Sequence, residues 1–74
     1  MTRRFSILLT EDAEEGGYTV AVPLLPGCVT EGDTLDEAID NAKDAIHVYL
    51  DYLQGKGYPL PEEESPPQLR TVEV

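Results

Sequence analysis

The side chains that could carry out chemistry are one histidine, one cysteine and 15 acidic residues. His47 lies among charged residues, and Asp51, one helical turn further on, could form an ion pair with it. Cys28 stands between Gly27 and Val29 with no base nearby in the sequence, which is typical of a small apolar strand residue and not of a reactive thiol. We therefore predict a solvated, non-catalytic His47, an inert Cys28 and no cofactor.

The acidic residues form a loop cluster and a helical ridge. The loop at positions 11–15 has enough oxygen atoms for a weak Ca²⁺ contact, but it lacks the Asp-x-Asp-x-Asp-Gly alternation of a dedicated site. We predict no metal site there. Asp36, Asp40 and Asp44 recur every four residues, which places like charges along one helix face. This ridge either keeps the chain soluble or binds the basic side chains of a partner. Glu14 and Glu15 of the loop are also predicted to contact the partner.

The totals limit the chain to one small domain. It has 74 residues, 15 acidic against 5 basic residues and a net charge of −10, which repels nucleic acid and attracts basic partners. A domain of this size buries only about 60% of its unfolded surface, so we expect a dimer or tetramer. The single cysteine excludes an intrachain disulfide, and no segment is apolar enough for a signal or a membrane span. A cytoplasmic protein without membrane contact is expected.

An amphipathic helix over 34–54 must organise these residues. Thr34 and Glu37 have the spacing of a capping box, and Gly55 and Gly57 supply a helix stop. Apolar residues at three- and four-residue steps predict one buried stripe. The stripe consists of Leu35, Ala38, Ile39, Ala42, Ala45, Ile46, Tyr49, Leu50 and Leu53.

Three strand-like segments at 3–10, 18–22 and 28–31 precede the helix and predict an antiparallel meander that the helix covers on one face. A linker rich in Pro and Glu at 62–68 and a strand-like tail at 69–74 follow the domain at 1–61. The predicted fold is α+β with the order β-β-β-α-β. The tail either joins its own sheet by a right-handed crossover or is exchanged with a neighbouring copy.

The motifs from Phe5 to Pro61 resemble, in order and spacing, the N-terminal domain of HicB-type antitoxins. Its Pro-Gly-Cys corner and Gly-Asp-Thr helix start are the most diagnostic parts, and Pro-Gly permits the sharp reversal there. One departure is Leu24, where the family often has an acid, so Leu24 should add an exposed apolar contact. The corner near Leu24-Leu25 should then mediate self-association or contact with the toxin. The motifs are Tyr18-x-Val20-x-Val22-Pro23, Leu25-Pro26-Gly27-Cys28, Thr30-x-Gly32-Asp33-Thr34, Glu37-Ala38, Asn41-Ala42, Ala45 and Gly57-x-Pro59-Leu60-Pro61.

The resemblance implies a sheet similar to a truncated ribonuclease H. It also implies that the chain masks the catalytic surface of a small, basic HicA-type toxin that cleaves messenger RNA. The family's usual DNA-binding segment does not follow Val74, so direct binding of nucleic acid is not expected. The residues predicted to contact the partner are Asp36, Asp40, Asp44, Leu24, Leu25, Glu14 and Glu15.

Two alternatives accompany this interpretation. An orphan relative could self-associate without any toxin partner. The chain could also be a nuclease, but that chemistry needs converging carboxylates, one of them in the first strand. The segment 3–10 carries no acid, and Glu37 and Glu73 are scattered, so no enzymatic activity is predicted.

Overall fold

A computed structural model of the chain describes residues 3–74; Met1 and Thr2, at the start of the predicted domain, lie outside the described residues. Three strands and one helix follow each other as β1 (Leu8–Glu11), β2 (Tyr18–Ala21), β3 (Val29–Gly32) and α1 (Leu35–Gly55). The strands form an antiparallel sheet in the order β1-β2-β3, and α1 packs over β3 and β2. The predicted α+β class and the β-β-β-α order are confirmed.

The β1–β2 hairpin fixes which main-chain groups point outward. The Asp12 N–H donates to the Gly17 carbonyl at 3.0 Å, and Leu8 lies opposite Ala21. Because hydrogen-bonded pairs alternate along an antiparallel ladder, the even-numbered residues of β1 bond to β2. The main-chain N–H and C=O groups of Leu9 and Glu11 therefore point to the outer edge of the sheet.

A tight corner between β2 and β3 closes one end of the core. The Cys28 N–H donates to the Leu25 carbonyl at 3.0 Å across Pro26-Gly27, and Gly27 has a φ of 82°. Proline followed by a residue of positive φ is the composition of a type II turn. The Tyr49 hydroxyl donates to the Pro26 carbonyl at 2.9 Å and ties the corner to α1. Two small clusters make up the buried core, namely Val20, Ala38 and Ala42, and Val22, Leu25 and Cys28.

Both ends of α1 are capped, at Thr34 and at Gly57, two of the residues that the sequence predicts for this role, whereas Gly55 is the last residue of the helix itself. The Thr34 hydroxyl accepts from the Glu37 N–H at 3.1 Å. At the other end Gly57, with a φ of 74°, donates to the Gln54 carbonyl, and the next N–H, of Tyr58, donates to the carbonyl of Leu53. These two bonds form a Schellman motif. The predicted apolar stripe is buried or half-buried, with the exception of Leu35, which lies exposed at the first turn.

The two ends of the chain differ from the prediction. The first strand begins at Leu8 and not at Arg3, and residues 3–7 lead into it without strand pairing. The linker is fastened to this lead-in, because the Ser6 N–H and hydroxyl donate to the Glu63 carboxylate at 3.0 and 2.8 Å. The Arg3 guanidinium adds an ion pair with Glu62 at 3.8 Å. Residues 69–74 are exposed and form no strand in the sheet of their own chain.

Candidate functional site

A groove follows the line where the edge of β3 meets α1, and we call it the β3–α1 seam. Its first end is an acidic cleft of about 450 Å³ between the hairpin tip, the end of β3 and the start of α1. The register places Tyr18 opposite Gly32, and this pairing brings the hairpin tip beside the first turn of the helix. Five carboxylates and no Lys or Arg line this end, which carries Asp12, Glu15, Glu31, Asp33 and Glu37.

Asp12 shapes the hairpin tip as well as charging it. Its Oδ1 accepts from the N–H groups of Glu15 and Glu14 at 3.1 and 3.0 Å. These two backbone donors, that of Glu15 first, hold the pKa of the Asp12 carboxyl below its ordinary value of 3.8. The carboxylate is therefore ionised throughout the neutral range, and the tip keeps one conformation that presents Glu15 to the cleft.

The second end of the seam is apolar. It is a shallow groove of about 480 Å³ beside the start of β3. Val29 and Val48 line it and are 61% and 70% exposed, with Asp44 next to them. Asn41 lines both ends, and its Nδ2 donates to the Glu31 carbonyl at 2.8 Å. The seam therefore combines a strongly negative half with an apolar half, which suits a protein surface that presents cations beside apolar side chains.

Of the residues that the sequence predicted for partner contact, some line the seam and others do not. Glu15 and Asp44 line the seam at opposite ends. Asp36, Asp40 and Glu14 are exposed but line neither end.

The two leucines of the predicted corner, Leu24 and Leu25, lie in different environments. Leu25 was predicted to contact a partner, but it is only 1% exposed and packs with Val22 and Cys28, so its side chain is not available at the surface. The turn hydrogen bonds around Pro26-Gly27 direct this side chain into the core. Leu24 is half-buried and lies with Pro23 against the linker, away from the seam.

Most of the seam was missed by sequence reasoning. The hairpin signal at Gly16-Gly17 and the helix start at Thr34 were both recognised. Pairing the second strand with the third would have brought the acids of the hairpin loop close to Asp33, just before the helix. Exposed valines, in contrast, give no signal of their own, since Val29 and Val48 fit an ordinary strand and helix. The unpredicted seam residues are Asp12, Val29, Glu31, Asp33, Glu37, Asn41 and Val48.

His47 and Cys28 lie outside the seam's acidic cleft. His47 is exposed and makes no ion pair with Asp51; within residues 3–74 the ion pair that forms joins Arg3 and Glu62. Cys28 is buried, and burial raises the pKa of its thiol above the ordinary 9.0. No group of three or more His, Cys, Asp or Glu side chains is placed to hold a metal ion in this part of the chain. Nor does any helix within the described range have the length and apolarity to cross a membrane.

Comparison with known proteins assigns the family. The model of a family described as the HicB-like antitoxin of bacterial toxin–antitoxin system matches residues 5–72. A UPF0150 protein of Thermoplasma acidophilum is 39% identical over 62 residues, which cover 84% of this chain and 88% of that protein. A UPF0150 protein of Synechocystis is 38% identical over 60 residues, or 81% of this chain and 75% of the relative.

Relatives named as antitoxins are longer. Antitoxin HicB 1 of Photorhabdus laumondii is 38% identical over 60 residues, which make up 78% of this chain but only 38% of that antitoxin. The similarity therefore falls on less than half of the longer protein and on about four fifths of this chain. The chain belongs to the HicB-like antitoxin family of bacterial toxin–antitoxin systems.

Proposed function

We propose that this protein is an antitoxin that binds and masks a small, basic HicA-type toxin that cleaves messenger RNA, and that it has no catalytic activity. The β3–α1 seam would be the contact surface. Membership of the antitoxin family supports the role, and the net charge of −10 supports a basic partner. The protein would act in the cytoplasm through protein contact, without binding nucleic acid directly.

The observation that carries this proposal is the division of the seam into an acidic and an apolar half. Carboxylates at the acidic end would attract a basic partner over a distance and orient it. Desolvated apolar contacts at the other end, around Val29 and Val48, would then slow dissociation. Because the two halves adjoin at Asn41, one partner of modest size can engage both.

The first test is whether a small basic protein is encoded beside this chain, and the second is binding of that protein and growth rescue in its presence. Asp33→Asn combined with Glu15→Gln should weaken the complex at least about tenfold and reduce the rescue. Asp51→Asn removes the same kind of exposed charge outside the seam and should leave binding unchanged. The proposal fails if the basic neighbour does not bind, or if the control variant weakens binding as much as the seam variant.

Catalysis is tested separately with labelled RNA and Mg²⁺ or Mn²⁺. We expect no cleavage by the purified protein. Metal-dependent cleavage that Glu37→Ala abolishes would overturn the non-catalytic assignment, since Glu37 is a carboxylate of the acidic cleft.

The second candidate is an orphan binding module that self-associates and has no toxin partner. The exposed apolar side chains of Leu69 and Val72 favour it, because a second copy could cover them. The absence of a small basic reading frame next to the gene, together with stable self-association, would select this function over the first.

A further inference from the structure

We propose that residues 69–74 of one copy add as a fourth strand to the outer edge of β1 in a second copy, and that two copies exchange their tails in this way. The inference rests on the two edges of the sheet, on a groove beside the lead-in to β1 and on the sequence of the tail. It is independent of the toxin proposal, because the seam lies at the opposite edge of the sheet.

The two edges of the sheet differ in what they offer a new strand. The Val22 N–H donates to the Cys28 carbonyl at 3.0 Å, so alternation directs the main-chain groups of Val29 and Glu31 outward from β3. The outward carbonyl of Glu31 already accepts from Asn41. At β1, the outward groups of Leu9 and Glu11 have no hydrogen-bond partner within the described chain. All four outward main-chain groups of β1 are thus available to a new strand, whereas at β3 one of the four is taken and α1 packs against that strand.

A groove beside residues 3–7, the lead-in to β1, provides space for the side chains of such a strand where it continues past the start of β1. It has a volume of about 600 Å³, and α1 leaves it open because the helix packs over β3 and β2. Its apolar lining comes from the lead-in to β1 and from the facing side of α1, with Glu63 and Pro66 of the linker also in contact. The apolar residues are Phe5, Ile7, Ile39, Ala42 and Ile46.

The tail has the matching pattern. Val72 and Val74 are two residues apart, so in a strand they point to the same face and could enter the groove together. The side chains of Leu69 and Val72 are 85% and 79% exposed. The tail therefore leaves apolar surface in contact with water.

The occupant of the edge is a second copy because the tail projects from its own body. The bonds between Glu63 and Ser6 hold the linker against the lead-in to β1. The residues beyond it, 64–74, are all exposed. The radius of gyration is 13.8 Å, whereas a compact domain of this length would have about 11 Å. Two copies related by a twofold axis would each receive the other's tail, as in domain swapping. Each sheet then gains the fourth strand that completes the β-β-β-α-β order.

The test compares the full chain with Val72→Pro, which removes a strand donor and an apolar side chain from an exposed position. Gln68→Pro is the matched control, since it makes the same kind of change in the proline-rich linker. Sedimentation equilibrium should show a dimer or a multiple of it for the wild type and for Gln68→Pro. The dissociation constant for Val72→Pro should rise at least about tenfold, while far-ultraviolet circular dichroism shows the helix intact.

Amide hydrogen exchange supplies the direct readout at the edge. In the wild type the N–H groups of Leu9 and Glu11 should be protected, and Val72→Pro should expose them while Leu8 and Thr10, which bond to β2, stay protected. A dimer that Val72→Pro leaves intact would overturn the proposal, as would fast exchange at Leu9 and Glu11 in the wild type. A wild-type monomer with these amides protected would show that the tail pairs with its own chain, which would overturn it too.

Discussion

The main chain of Ala38 occupies the space where a side chain on Gly32 would point. A Cβ built on Gly32 would lie 2.6 Å from the Ala38 Cα, closer than real side chains approach a backbone. The end of β3 and the first turn of α1 therefore touch through their main chains, and this contact sets the width of the acidic cleft between them.

Gly32→Ala should lower the free energy of unfolding by about 1–3 kcal/mol, because the added methyl group forces α1 away from β3. Urea unfolding followed by circular dichroism at a fixed protein concentration measures this change. Gly55→Ala is the control: nothing lies within 4 Å of its Cβ position, and it sits in the last turn of the helix, so it should be neutral or stabilising. Equal unfolding midpoints for Gly32→Ala and the wild type would contradict the close packing.

Tyr49→Phe should destabilise the fold by about 0.5–1.5 kcal/mol through loss of the hydrogen bond to the Pro26 carbonyl. The ring stays in place, so the change reports on the hydroxyl. Tyr58→Phe removes a hydroxyl from an exposed ring beyond the helix and should have no measurable effect in the same unfolding experiment. If both variants unfold together with the wild type, the corner does not depend on this bond.

The Cys28 thiol should react at least about tenfold more slowly with a thiol reagent at neutral pH than the same thiol in denaturing urea. Burial both shields the sulfur and raises its pKa. Since the folded-state pKa lies above the ordinary 9.0, the stability linked to this group is fully present below pH 9.0 and is lost as the pH rises through the raised value. Equal reaction rates in the folded and denatured states would contradict this account.

Asp12 should titrate below pH 3.8, as followed by the NMR shift of its carboxyl carbon. Its lowered pKa means that the associated stability of the hairpin tip is present above pH 3.8 and is lost as the pH falls through the lowered value. Asp12→Asn, which keeps an oxygen acceptor, should preserve the amide shifts of Glu14 and Glu15 at neutral pH better than Asp12→Ala. A titration midpoint at or above 3.8 would show that the two backbone donors do not favour the carboxylate.

Binding of a basic partner at the seam should weaken as salt is added, because exposed charges are screened. Calorimetric titrations at several ionic strengths measure the slope. For Asp33→Asn with Glu15→Gln the slope should be shallower than for the wild type, while Val48→Ser should weaken binding and leave the slope unchanged. A slope that the acidic variant does not alter would place the contact elsewhere.

Local signals in the sequence were sufficient for the helix and for the order of the three strands before it, but the predicted last strand is not confirmed. Thr34 and Gly57 mark helix ends through their own hydrogen bonds and backbone angles, so they can be recognised without the rest of the chain. Gly16-Gly17 and Pro26-Gly27 likewise impose their turns locally. The orientation of Leu25 could not be recognised in this way, because Leu24 and Leu25 are adjacent apolar residues and only packing against Val22 and Cys28 decides which of them is buried.

Long-range contacts account for what the sequence did not reveal. Glu63 reads as part of a solvated acidic run, yet its carboxylate binds Ser6, which is 57 residues earlier. The acidic cleft forms from three segments that meet only when the hairpin, β3 and α1 are assembled. The pattern of residues 69–74 indicates a preference for β-strand conformation, but it does not identify the strand with which the segment pairs.

The amide of Asn41 also limits how far the sheet can grow. A sheet with unpaired strands at both edges can add one chain after another, and this is how fibrils grow. Here the Glu31 carbonyl is already occupied, which leaves the β3 edge one acceptor short for a further strand. Replacing the Asn41 side chain would free that acceptor and make the addition of further strands at β3 more favourable.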